Sequence, residues 1–62
     1  MTIEKVYYNQ TYILVVKDDD GEPVTLTAHR DEYQADWTIG AIKAIVEYCG
    51  KATPTVITNT KK

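Results

Sequence analysis

The chain has 62 residues, a formal charge of −2 and a single cysteine, Cys49. That length allows one domain, 1–62, with a small core that is marginal alone. One cysteine excludes an internal disulfide, and one histidine beside it excludes a zinc site. The staple expected for so small a domain is therefore self-association, which stabilises the folded form by mass action. No apolar run approaches the roughly 18 residues that a membrane span requires, and no secretory signal is evident. A lone thiol in such a chain fits a reducing cytoplasm.

In chain order, "IEKVYY" (3–8) reads either as a separate N-terminal strand or as an extension of the next one. Asn9-Gln10 lacks the glycine of a good turn, which favours extension. "QTYILVVK" (10–17) is a β-branched and aromatic run, hence a strand. Tyr12, Leu14 and Val16 alternate with Ile13 and Val15. Both sets are apolar, so both faces are expected to be covered. "DDDGE" (18–22) makes a hairpin loop, with Gly21 at the position that requires positive φ. "PVTLTAHR" (23–30) is the next strand, with Val24, Leu26 and Ala28 set against Thr25, Thr27 and His29. Pro23 suits a strand's first residue.

Residues 30–52 are expected to be helical. Asp31 or Asp36 can cap the start, and Gly50 stands where a helix stops. Ile42, Ile45, Val46 and Cys49 form the expected core stripe. A second stripe, Trp37, Ala41, Ala44 and Tyr48, runs at spacings of four, three and four. A helix on one sheet needs one such stripe. Gly40 and the two alanines permit close backbone approach, so the second stripe is the expected contact of a homodimer. The alternative is that loops and the N-terminal segment of the same chain cover it. Thr55 to Thr60 forms a last strand after Pro54, followed by a frayed basic end, Lys61-Lys62. The expected fold is α+β: a three-stranded antiparallel sheet carrying one helix, in the order β-β-α-β.

No nucleophile–base–orienter set can be assembled from one histidine and one cysteine, so no enzyme and no cofactor are expected. His29 reads as an exposed strand-end residue and Cys49 as a small buried hydrophobe. "DDDG" fails as a calcium loop. With Gly21 as the loop glycine, positions one and twelve fall on Val16 and Thr27, which cannot serve. Two constellations remain. The first is acidic. From Asp18 to Asp36 there are seven acids against one base, Arg30. Such a block disfavours nucleic acid and suits a basic protein partner, unless it serves only solubility. The second is aromatic: Tyr33, Trp37 and Tyr48. Trp37 is the leading contact residue, because Trp dominates interface energetics.

These residues resemble a known family. A strand runs straight into Asp18-Asp19-Asp20-Gly21, a second strand ends in His29-Arg30, and an aromatic, Trp37, follows near the helix start. That arrangement resembles the small uracil-DNA glycosylase inhibitors of Bacillus phages with protein-primed replication. The likeness spans about residues 10–60 and is carried mainly by the turn and its position relative to His29 and Trp37. It implies a homodimer in the host cytoplasm that mimics DNA. An aromatic-lined pocket between the copies takes an apolar side chain of the glycosylase, and acidic groups stand in for phosphates. Trp37 matches the pocket aromatic, where the family has Phe. The family's acid after that aromatic is Thr38 here, its Tyr a turn later is Ala41, an acid on its second strand is Thr27, and this helix is longer. Polar contacts would then come from Asp18, Asp19 and Asp20, with Glu32, Asp36 or Glu47, and Tyr48 would join Trp37. Inhibition of another basic host enzyme, such as a nuclease or CRISPR effector, and a non-inhibitory interaction module are the alternatives.

Overall fold

The computed structural model describes residues 1–60; the basic end, Lys61-Lys62, lies outside the described residues. Five elements follow in order: β1 (Thr2–Tyr8), β2 (Thr11–Lys17), β3 (Pro23–His29), α1 (Glu32–Tyr48) and β4 (Thr55–Thr60). The fold is α+β, one helix on one sheet. The sheet has four strands, not three, in the order β3-β2-β1-β4. β1 pairs antiparallel with β2 and parallel with β4.

The N-terminal segment is thus a strand of its own and not an extension of β2. Asn9 and Gln10 make the turn by taking positive φ, 52° and 61°. This left-handed pair matches the twist of a two-residue hairpin. Asn tolerates it well and Gln poorly, which is why a glycine search misses this hairpin.

The second hairpin is built by Asp18. Its carboxylate accepts hydrogen bonds from the Asp20 and Glu22 amides at 3.0 and 2.9 Å. Gly21, at φ 83°, donates its amide to the Asp18 carbonyl. A register irregularity follows where Val16 pairs with Thr25 and Lys17 with Pro23, leaving Val24 as the extra residue of a bulge.

Asp31 caps α1, accepting from the Tyr33 amide at 3.0 Å. Asp36 lies within the helix. The helix ends in a Schellman closure: Lys51 donates to the Val46 carbonyl and Gly50, at φ 79°, to that of Glu47. The core is Ile3, Leu14, Val16, Ala35 and Ile39, with Met1, Tyr12 and Ile42 packed against it. Val46 is buried as well.

The helix phase corrects the expected core stripe. Ala35, Ile39, Ile42 and Val46 face the sheet, while Ile45 is 63% exposed and Cys49 lies exposed at the C-cap. The sheet sets this phase. Lys5, on the helix side of β1, donates to Glu32 Oε2 at 3.0 Å and to Asp36 Oδ1 at 2.7 Å. Those two grips hold the first turns of α1 over β1, and the adjoining face, Ala35 and Ile39, shares the core cluster with Leu14. Lys5 itself is buried.

Cover was expected on both sheet faces; among the described residues, α1 covers one face and no element covers the other. Tyr12, Leu14 and Val16 lie under the helix, opposite His29, Thr27 and Thr25. Alternation puts Ile13, Val15, Leu26 and Ala28 on the other face, where Leu26 is 68% exposed. His29 is half-buried, its ring bonded to the Thr27 hydroxyl at 3.1 Å, so it is not the exposed strand end expected.

Candidate functional site

The back of α1 carries the expected second stripe in the open. Trp37 and Tyr48 are exposed, as are Gly40, Ala41 and Ala44 between them. Trp37 and Tyr48 stand roughly 16 Å apart along the axis, at 1.5 Å per residue. The small residues form a floor between two aromatic ends. Tyr33, 72% exposed, prolongs the ridge at one end. Ile45, which the sequence reading gave to the core, widens it. Its place could have been found from the rival spacing 35, 39, 42, 46, which runs through the helix and leaves position 45 outside.

The acidic residues do not converge on one point. The hairpin tip lies against the far end of the helix: Met1, Asp18, Asp19, Val46, Lys51 and Ala52 line one shallow groove. Glu32 and Asp36 occupy the helix's first half, over β1. Acids therefore bracket a helix of 17 residues, roughly 25 Å long.

Most of these carboxylates also have structural partners. Asp18 closes the hairpin turn. Asp19 pairs with the N-terminal ammonium, which holds its carboxyl below the ordinary value. Glu32 and Asp36, each more than half exposed, share Lys5. The Lys5 ammonium is raised above its ordinary value, first by the Asp36 hydrogen bond, with burial opposing. It also sits 5.4 Å from the centroid of the Tyr12 ring, which tilts against Tyr7 at 4.7 Å. Burial pushes the Tyr12 hydroxyl up, so it is a neutral phenol at physiological pH. Among the described residues, the Asp20 side chain alone of the three hairpin aspartates makes no hydrogen bond or ion pair.

The chemistry this arrangement offers is contact chemistry: an aromatic ridge with a small-residue floor, flanked by negative charge. Among the described residues no helix is long and apolar enough to cross a membrane. No group of three or more His, Cys, Asp or Glu side chains among them is placed to hold a metal ion. Set against protein-family models, curated proteins and solved structures, the chain matches none.

Proposed function

We propose that this protein inhibits a uracil-DNA glycosylase by DNA mimicry, using the back of α1 as its contact surface. The observation that carries the binding role is the unpartnered ridge of Tyr33, Trp37, Ile45 and Tyr48. Isolated exposed hydrophobes are ordinary, but a contiguous patch of this kind on a small domain marks an interaction surface. Trp and Tyr are the side chains most enriched at binding hot spots. The choice of target rests on the sequence resemblance, which spans about residues 10–60 and leaves β1 outside it.

In this reading Trp37 receives the apolar side chain that the glycosylase inserts into DNA. Asp20 and Glu22, at the exposed hairpin tip, supply charge that steers encounter with a basic groove. The test is kinetic. The variant with Asp18, Asp19 and Asp20 all changed to Asn keeps the turn, because an Asn side-chain oxygen can accept the same amide bonds. It should associate with the glycosylase more slowly than wild type and with a flatter salt dependence. Equal association rates across salt concentrations would remove the aspartates from the binding role.

The structural employment of Asp18, Asp19, Glu32 and Asp36 favours a second reading, an interaction module for some other basic protein. That protein would be captured through the same ridge, and uracil excision would proceed untouched.

A further inference from the structure

β3 gives its polar residues to the side of the sheet that α1 covers. Thr25, Thr27 and His29 stand opposite Val16, Leu14 and Tyr12, beside the core. Val24 and Leu26, 57% and 68% exposed, lie outside it. One residue causes this. Lys17 pairs with Pro23, but Val16 pairs with Thr25, so Val24 is the extra residue of a bulge. Carrying the Lys17–Pro23 pairing forward without the bulge sets Val24 opposite Val16, Leu26 opposite Leu14 and Ala28 opposite Tyr12. Residues directly opposite one another share a face. That register therefore gives all three apolar side chains to the core side and sends Thr25, Thr27 and His29 out. A shift of one residue exchanges the faces.

We infer that β3 is a two-register strand: release of the Val24 bulge slides residues 24–29 by one position along β2 and carries Leu26 beneath α1. The topology permits the slide. β3 is an edge strand with β2 as its one neighbour, so a single ladder is exchanged and no second one is broken. The hairpin turn stays as it is. The Asp18 and Gly21 hydrogen bonds and the Lys17–Pro23 pair all lie on the turn side of the bulge. The slack passes to Arg30 and Asp31, the two residues that join β3 to α1. Two effects oppose one another. Release takes Val24 and Leu26 out of water. The bulged register leaves Asp31 undisturbed as the helix cap and asks α1 to accommodate a threonine, not a leucine, opposite Leu14. Two packings of one sequence that balance in this way make a bistable element. The β1–β2 ladder runs without irregularity and has no such slack. The slide sets how much apolar surface the sheet presents: Val24 and Leu26 are open in the bulged register and covered in the released one. It does not alter the back of α1, so it stands whether or not the proposed target is correct.

Relaxation-dispersion NMR of the intact protein tests it, since register shifts of packed elements fall in the μs–ms range. Wild type should show exchange at the amides of residues 24–31, to a minor form of about 0.1–10%, and none along β1. Deleting Val24 joins Pro23 to Thr25 and keeps the present faces with no bulge to release, so the exchange should vanish. Thr27→Lys places a charge beside the core in the bulged register and in water in the released one. It should make the released register the major form, read as cross-strand contacts of Leu26 with Leu14 and of Thr25 with Val15. Leu26→Lys penalises the released register in the same way and should suppress the exchange. Absence of exchange in wild-type β3, or exchange that survives the Val24 deletion, overturns the inference. So does a folded Thr27→Lys protein with residue 27 still opposite Leu14. Wild type and the Val24 deletion decide the question even where Thr27→Lys fails to fold.

Discussion

Lys5 ties the two layers of this molecule together. Its ammonium reaches carboxylates 27 and 31 residues away in sequence, one helical turn apart on α1. Hydrogen bonds to charged groups are worth about 1.5–3 kcal/mol. Lys5→Ala should therefore lower the stability of the fold by about 2 kcal/mol, read as a lower urea midpoint at unchanged slope. Because the folded-state value of Lys5 is raised, this contribution is present in full below the ordinary 10.5 and is lost as pH rises through the raised value. The gap between wild type and Lys5→Ala should thus hold across neutral pH and close in the alkaline range as the ammonium loses its proton. Asp19 has the opposite sign. Its value is lowered from 3.8, so its contribution is present above that value and lost as pH falls through the lowered one. Asp19→Asn should flatten the acid limb of the stability curve. Neither contact was legible in the sequence. A lysine in a strand and two acids near a helix start carry no mark of their pairing until topology brings β1 beneath α1.

At the scale of elements, three of the four strands, the helix, and the glycines of the second hairpin and the helix end, Gly21 and Gly50, could be read directly. β2, β3 and β4 and the Asp31 and Gly50 boundaries follow from alternation, turn chemistry and capping residues. β1 as a separate strand did not, because its turn uses Gln10 at φ 61° where a glycine would be unstrained. Gln10→Gly should stabilise the protein by about 0.5–1 kcal/mol, the left-handed strain relieved less the added freedom of the unfolded chain. Gly50→Ala, at φ 79°, should do the reverse by about 1 kcal/mol. Thermal unfolding of the two variants measures both. The helix phase was only half legible. Two apolar spacings compete on α1, and the winner depends on Lys5 and on the small Ala35, which lets the helix settle on Leu14. Periodicity alone could not choose between them. The surface left over, from Trp37 to Tyr48, was legible as a second stripe because one sheet can bury only one.

The whole molecule presents more apolar surface than one chain can cover, on the back of its helix and on the open side of its sheet. A marginal domain of this size gains stability from whatever binds its folded form. In the reading proposed above, the helix ridge is the surface that meets the target enzyme. On this account the acidic hairpin governs how fast the target is met, and Trp37 governs how long it is held. The most direct measurement is a uracil-excision assay with purified bacterial uracil-DNA glycosylase, titrated with wild type and with Trp37→Ala. Wild type should block excision near stoichiometric ratio. Trp37→Ala should need about 30-fold more protein, the loss of a hot-spot side chain worth about 2 kcal/mol. Full excision at large molar excess of wild type, with enzymes from several bacterial hosts, would contradict the assignment.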